Sequence, residues 1–552
     1  MSNPVLEVDA GAAGDQNNTL GELRLRNEAT EEIILIPTPT NHPNDPLTWS
    51  KPYRVYIAVL VSFAIFFSNF LAAGPSVAIV EITETYFGPA GPDIDEKVAQ
   101  AAYLFTTTAL LQGMSNLIWM PIILKYGRRP VYVTSFVLYT ACSAWAGGAA
   151  SYGSALAARI LMGFASGAAE CLAPLTISDL FFLHERGAIM AIYTAALSTG
   201  VGVGIIVAGL VTINSHWRYI YWIAVTLIGA CTILIIFTFP ETIFDRQNNR
   251  DVMRTTGKTD DTNNKYPKDG DMDPETAKAE NTSTCRRISE SPYTKRTYVH
   301  SLSMYSGVHT KESFFKLCFR SVALLALPPV LWATLVMSVT IGFLVAISSN
   351  FAVAFGDVYN FEPWQSGLCF VACPVGAAFG GFFGGSFSDL VADKLTRRNN
   401  GIRQPEMRLP SIIISLATAP LSLVLYGVGI HRAWHWIVPT IGLGLLNFSI
   451  VQATNISLVY TMDSYRPVAG ELAVTQLAFK SAFGFLLSFY TNPWIEESGY
   501  SNAFGVMAGI SGAVILFWIP IYIWGRRVRQ ATWKWGFVQN LVHWNKDREV
   551  GE

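Results

Sequence analysis

The sequence predicts an all-α membrane protein with twelve transmembrane helices in two six-helix halves. Two long apolar blocks, about 55–239 and 322–524, flank a polar stretch. Each block divides into six segments of about twenty residues, the length at which a helix crosses ~30 Å of hydrocarbon. Composition agrees, since 51% of the 552 residues are hydrophobic and 14% are charged, against about 25% charged in soluble proteins.

The first half is predicted to hold helices at about 55–80, 99–122, 130–149, 154–178, 188–212 and 219–239. The second half is predicted to hold them at about 321–347, 366–387, 410–430, 435–460, 471–492 and 503–524. The chain then divides into an N-terminal tail (1–54), a first half (55–240), a bridge (241–320), a second half (321–524) and a C-terminal tail (525–552). The bridge is too polar to bury a core, so we expect it to be largely disordered.

Positive charge in the short loops predicts the orientation in the membrane. One set of loops is rich in Lys and Arg, including the runs 125–129, 394–408 and 526–529, whereas the opposite set holds only Lys97, Arg218 and Arg432. Both tails and the bridge are therefore predicted to be cytoplasmic. We expect a multi-pass protein of the plasma membrane, acting as a monomer.

The chain carries no sign of a cofactor or of a nucleic-acid partner. Its net charge is −1, and its seven cysteines show no zinc spacing. Gly257-Lys258-Thr259 resembles the end of a phosphate loop, but Val252 stands where that loop needs glycine. Neither a metalloprotease motif nor a serine nucleophile elbow stands out. We expect a proton gradient, rather than ATP or a cofactor, to supply energy, and no enzymatic activity.

Three charges lie inside predicted helices, where each costs at least ~2.5 kcal/mol and needs an explanation. Arg159 and Glu170 share one face of the fourth helix with Gly163 and Gly167. Arg159 is either functional or a structural cation bonded to backbone carbonyls of a neighbouring helix. Glu170 is either a carboxyl that binds and releases a proton or a packing carboxyl paired with a nearby donor.

Lys480 lies deep in the eleventh helix, one turn after Gln476. Snorkelling is awkward at that depth, so Lys480 is expected to face the bundle interior, where it binds an anionic group or balances a carboxylate. Uncharged candidates for the same interior are Asn69, Asn116, Asn455 and Trp332, with Gln112 and Asn447 as further polar groups. Some of them are expected only to bond or pack against neighbouring helices.

Two loops carry the resemblance to a known family. Lys125-Tyr126-Gly127-Arg128-Arg129-Pro130 is similar to the end of the signature of the major facilitator superfamily, and Gly385-Ser386-Phe387-Ser388-Asp389 resembles its opening. Segments 180–187 and 400–409 resemble a fungal branch grouped with drug:proton antiporters, which also contains polyamine and organic-cation carriers. The first loop has Met120 and Leu124 where the signature has Gly and Asp, so we expect Asp389 alone to supply the carboxylate of the gate.

The resemblance implies a carrier that works by alternating access. It assigns a cytoplasmic gate to five residues, which are Gly127, Arg128, Arg129, Gly385 and Asp389. Its implied partners are a small organic substrate, protons and the lipid bilayer. Export of a drug, toxin or secondary metabolite is the first expectation, and proton-coupled uptake of an organic cation or nutrient such as a polyamine is the alternative. A third possibility is a nutrient sensor on the same scaffold, although such a sensor would carry a longer C-terminal tail.

Overall fold

The computed structural model describes residues 23–24, 35–37, 39–40, 42–89, 94–244, 297–305, 307–310, 312–536 and 538. The first half comprises α1 (Lys51–Phe87), α2 (Glu96–Tyr126), α3 (Arg128–Gly148), α4 (Tyr152–Leu180), α5 (Leu183–Val211) and α6 (Arg218–Thr238). The second half comprises α7 (Pro328–Tyr359), α8 (Pro363–Arg398), α9 (Pro405–His431), α10 (Ile437–Ser464), α11 (469–498) and α12 (500–533).

The helix count agrees with the twelve spans predicted from the sequence. Ten helical stretches among the described residues are long and apolar enough to cross a membrane. The longest, Arg466–Trp533, turns at Gly499, where φ is 78° and ψ is 158°, so it contains both α11 and α12. The less apolar α3 completes the set.

Local sequence explains where several helices begin. α7, α8 and α9 each start at a proline, whose fixed φ and missing N–H suit the first turn. Glu362 and Gln365 form a capping box on α8. Gly127 separates α2 from α3 with a φ of 102°, a value that favours glycine.

The two halves meet along two seams, α2 against α11 and α5 against α8 and α10. One end of the bundle carries Arg128, Arg186, Arg403 and Arg466 in or beside its turns, and we call it the basic end. The helix α4 runs toward that end and α11 runs away from it. The largest buried apolar cluster lies around α1, α3, α4 and α6 and also takes in residues of α10 and α11, and a second cluster lies mainly in the second half.

Part of the predicted bridge folds against the basic end. Residues 245–296, with the Gly257-Lys258-Thr259 stretch, lie outside the described residues. Beyond them the chain forms two short helices, Tyr298–Ser301 and Phe314–Ala323. In the N-terminal tail, Leu23–Arg24 pairs as an antiparallel strand with Ile402–Arg403. The tail and bridge boundaries drawn from the sequence stay predictions.

Candidate functional site

A buried ion pair joins the two halves of the bundle. The Nζ atom of Lys480 on α11 lies 3.0 Å from Oε1 of Glu170 on α4, and both side chains are almost fully buried. The sequence named both residues, but it could not show that they are partners. A buried charge pair of this kind is costly to break one charge at a time, because the remaining charge is left unpaired.

Amides from two further helices extend this pair into a network. Gln112 on α2 donates from Nε2 to Glu170 Oε1 at 3.1 Å and lies 3.3 Å from Oδ1 of Asn69 on α1. Asn116 donates to the Gln112 carbonyl one turn away. The network therefore draws on α1, α2, α4 and α11, and Gln112 and Lys480 both donate to Oε1 of Glu170.

Close packing of α2 on α4 positions these groups. A Cβ atom at Gly167 would lie 2.1 Å from the Gln112 carbonyl oxygen, and one at Gly163 would lie 2.5 Å from that of Thr108. Only glycine allows backbones to approach in this way. The face of α4 that carries Glu170 is thus pressed against α2, as the sequence spacing predicts.

Three buried acceptor atoms at this junction have no hydrogen-bond partner among the described residues. They are Oε2 of Glu170, Oδ1 of Asn116 and Oε1 of Gln476, whose amide donates to Thr461 on α10 at 2.7 Å. Asn116 lies between Gly113 and Met120, which both touch α11. Gln476 lies one turn from Lys480 on α11. The junction of α2, α4 and α11 therefore offers an excess of acceptors, which suits a ligand that donates hydrogen bonds.

Arg159 lies apart from this network. Its guanidinium donates to the carbonyls of Leu104, Leu71 and Ala72 at 2.8, 2.8 and 3.0 Å and stacks on Phe105. These bonds hold α1 and α2 against α4. The geometry is that of the structural cation, the alternative that the sequence left open.

Trp332 and Asn455 also lie away from the ion pair. The Trp332 indole donates to the Val514 carbonyl on α12 and packs on Tyr460, inside the second half. Asn455 on α10 donates to the Gly384 carbonyl at 2.8 Å and lies 3.4 Å from that of Gly187 on α5. Asn455 therefore belongs to the contact between halves near the basic end, and Trp332 belongs to a packed core.

The first predicted gate loop is held by two carboxylates of its own half. Arg128 contacts Asp179 at the end of α4, with Nε 2.9 Å from Oδ2. The carboxylate of Glu241 accepts from the backbone amides of Arg128 and Arg129 at 3.0 and 3.1 Å, which caps the start of α3. The expectation that Asp389 alone supplies a gate carboxylate stays a prediction, but the structure adds Asp179, which reaches Arg128 from a different helix of the same half.

The second predicted gate loop lies on the α5–α8 seam. Asp389 on α8 contacts Arg408 and lies 3.6 Å from Arg403. Its carboxylate rests on Gly187, since a Cβ there would lie 2.4 Å from the Asp389 oxygens, and Gly385 touches Ala191. Burial lowers the pKa of Arg403, and Arg408 beside it acts in the same direction. The ion pairs of this cluster therefore lie within the second half, and Asp389 meets the first half at Gly187.

Sequence reasoning missed Asp179 and Glu241 because both lie just outside the predicted spans, where a carboxylate attracts no notice. It also passed over Ser198 on α5, whose hydroxyl donates to Oδ1 of Asn447 on α10 at 2.6 Å, while the Asn447 amide donates to Cys373 on α8 at 2.9 Å. A lone serine among small residues carries no signal. This second polar junction lies on the seam opposite to Glu170 and Lys480.

Two helical halves that meet across a buried charge pair have the architecture of secondary transporters. The model of the Major Facilitator Superfamily matches residues 55–473. The chain belongs to this family, and it is a multi-pass membrane transporter.

Several fungal proteins are similar to the chain over most of its length. An uncharacterized MFS-type transporter of Schizosaccharomyces pombe is 26% identical, over 91% of this chain and 89% of that protein. Protein HOL1 of Saccharomyces cerevisiae is 25% identical over 94% of each chain. Efflux pump FUBT of Fusarium oxysporum is 25% identical over 91% of this chain and 77% of the pump.

Solved structures share the fold. The proton:xylose symporter XylE aligns with a TM-score of 0.57 at 13% identity, over 86% of this chain and 97% of XylE. The human organic anion transporter MFSD10 aligns with a TM-score of 0.52 at 14% identity, over 87% of this chain and 100% of MFSD10. At these identities the likeness concerns the fold alone.

Proposed function

We propose that the chain is a proton-driven carrier that exports a small organic molecule across the plasma membrane, with its basic end in the cytoplasm. The observation that carries the proposal is the Glu170–Lys480 pair, because it is the buried charge contact between α4 of one half and α11 of the other. An ion pair in that position links the protonation of one carboxyl to the separation of two helices.

The chemistry follows from the charge balance of the pair. While Glu170 is ionised, its carboxylate attracts Lys480 and holds α4 against α11. A proton on Glu170 removes that attraction, so the halves can separate around the substrate. When Glu170 releases the proton to the other side of the membrane, the ion pair forms again. Each charge moved across the membrane supplies ~2.3 kcal/mol per 100 mV of membrane potential.

Export rather than uptake is supported by the relatives named as efflux pumps, FUBT and FUB11, which match 91% and 75% of this chain. Direction of transport is a property of the coupling cycle, so it needs its own measurement. A strain lacking the protein is expected to retain an exported compound longer than the wild type. Faster loss or lower entry of the compound would contradict export.

The excess of acceptors beside the pair favours a second candidate, uptake of an organic cation such as a polyamine. Oε2 of Glu170, Oδ1 of Asn116 and Oε1 of Gln476 could together accept from an ammonium group that displaces Lys480 from the carboxylate. Reduced entry of radiolabelled spermidine into the strain lacking the protein would favour this candidate over export.

Purified protein in vesicles with an internal pH dye tests the proton step. A panel of amines, drugs and secondary metabolites is added, and each transported compound collapses an imposed pH gradient. Glu170→Gln is expected to abolish that collapse, because the amide cannot release a proton. Glu497→Gln, which changes an exposed carboxyl on α11, is the matched control and should behave as wild type. Wild-type collapse by Glu170→Gln would refute the assignment.

A further inference from the structure

The helix Phe314–Ala323, which we call the seam helix, has two unlike faces. Phe315, Phe319 and Val322 are 80%, 63% and 52% exposed, and their i, i+4, i+7 spacing places them on one stripe. The opposite stripe holds Leu317, Arg320 and Ser321, all nearly fully buried. Such a large aromatic stripe is unusual on a surface that faces water.

The buried stripe clamps the seam helix to α11. Arg320 forms ion pairs with Glu471, near the start of α11, and with Glu312, at 3.2 Å. The hydroxyl of Thr475 donates to the Ser321 carbonyl. These contacts fix the rotation of the seam helix, so its aromatic stripe points away from α11.

The depth of the seam helix shows what covers that stripe. The Cys318 thiol donates to the Leu117 carbonyl at 3.2 Å, and Leu117 lies nine residues before the end of α2 at Tyr126. At 1.5 Å per residue the contact is roughly 13 Å inside the basic end of α2. Ile118 beside it is 42% exposed on the outer surface of the same apolar helix. The aromatic stripe therefore continues the lipid-facing surface of α2.

The seam helix also covers the junction that carries the candidate site. Leu117 follows Asn116, and Thr475 precedes Gln476, so the seam helix crosses from α2 to α11 at the level of the unpartnered acceptors. The three polar groups there need protection from hydrocarbon, in which an unsatisfied polar atom is costly.

We propose that the seam helix is a membrane-embedded seal. Its Phe315–Phe319–Val322 stripe is buried among the acyl chains of the leaflet at the basic end, while Arg320 ties it to α11. In this position it keeps lipid out of the α2–α11 seam beside Glu170 and Lys480. Because an ion pair and a hydroxyl hydrogen bond hold it on α11, whereas its bond to α2 is a thiol contact, the seal moves with α11 and slides on α2 when the seam opens.

Depth-dependent quenching tests the lipid contact in the full-length protein. Phe319→Cys, in a chain whose other cysteines are replaced, is labelled with a small fluorophore and reconstituted in phosphatidylcholine vesicles. Lipids with a doxyl group on the acyl chain are expected to quench it strongly, and aqueous iodide weakly. Ser313→Cys, which precedes the seam helix and is exposed, should show the reverse order.

Three outcomes would overturn the seal. Iodide quenching of the Phe319 label at the level of the Ser313 label would place the stripe in water. Energy transfer between labelled copies in vesicles that hold several proteins, which disappears when each vesicle holds one protein, would show that the stripe contacts a second copy of the chain. Loss of doxyl quenching when a cytosolic extract is added would assign it to a soluble protein. The proton-gradient assay on the same vesicles separates this result from any failure of the proposed function.

The native Cys318 reports whether the stripe holds the seam helix on α2. In a chain that keeps only Cys318, Phe315→Ser with Phe319→Ser is expected to raise the labelling rate by a membrane-impermeant maleimide several-fold. A chain that keeps only Cys231, buried in α6, is the control for general unfolding and should label equally slowly with and without the changes. Unchanged labelling of Cys318 would refute the anchoring role.

Discussion

At the scale of single residues, charge in an apolar segment was the most informative signal. Glu170 and Lys480 could be named from the sequence because an ionised group there needs a partner. Their pairing could not be predicted, since it depends on which faces of α4 and α11 meet. The same signal also singled out Arg159, whose guanidinium is bonded to backbone carbonyls of α1 and α2. No sequence pattern distinguishes a guanidinium bound by carbonyls from one that binds substrate.

Removing one member of the pair should cost more stability than removing both. Lys480→Ala leaves the Glu170 carboxylate buried without a counter-charge, and breaking a buried pair in this way typically costs about 3–5 kcal/mol. The double change Glu170→Gln with Lys480→Gln leaves two neutral amides and is expected to recover most of that loss. Thermal unfolding in detergent measures both. A double variant no more stable than Lys480→Ala would contradict the ion pair.

At the scale of helices, the hydropathy pattern predicted which segments are helical and in what order, but it misplaced several ends. α1 continues to Phe87 and α7 begins at Pro328, against predicted limits of 80 and 321. Polar residues at the end of α1 lower the hydropathy signal although the helix continues. The apolar residues before Pro328 belong instead to the preceding helix Phe314–Ala323 and to the short 3-10 helix Leu324–Ala326. Helix rotation could not be predicted, so the sequence did not show that Asn116 lies beside Gln112 while Asn455 lies against Gly384.

The contact between α2 and α4 gives a prediction at this scale. Gly167→Ala would place a methyl group 2.1 Å from the Gln112 carbonyl oxygen, and overpacking of this kind costs about 1–3 kcal/mol. Because Gln112 holds Glu170, proton-driven transport should fall as well. Gly153→Ala is the matched control in the same helix, since a Cβ there meets nothing within 4 Å. Equal melting temperatures and transport rates for the two variants would show that the contact is not tight.

At the scale of the molecule, the all-helical fold and the family are confirmed, and the helix count is consistent with the predicted six-plus-six division. The sequence could not show that the two predicted gate loops have different partners. Arg128 is satisfied inside the first half by Asp179, whereas Asp389 lies against Gly187 of the other half. A loop motif gives the positions of the charged residues, but not the residues with which they pair, because those partners lie in distant segments of the chain.

Opening of the basic end is expected to depend on the contact between Asp389 and Gly187. Gly187→Leu would force the Asp389 carboxylate away from α5, so the halves should spend more time apart at this end. A cysteine at Ala188, in a chain without other cysteines, should then react faster with an impermeant maleimide. Gly148→Leu, where a Cβ meets nothing within 4 Å, should leave that rate unchanged, and equal rates for both would contradict the prediction.

The folded end of the bridge sets a limit on how far the halves can swing. The first half holds the chain at His309, whose amide donates to the Lys125 carbonyl at 3.0 Å, and the second half holds the seam helix through the ion pair of Arg320 with Glu471. Five Cα–Cα steps join His309 to the first residue of the seam helix, Phe314, a distance of at most roughly 18 Å when fully extended. We expect this short link to limit how far the two halves separate at the basic end. The length of the stretch 245–296, which Glu241 and Ser301 bracket with a backbone hydrogen bond, has no part in it.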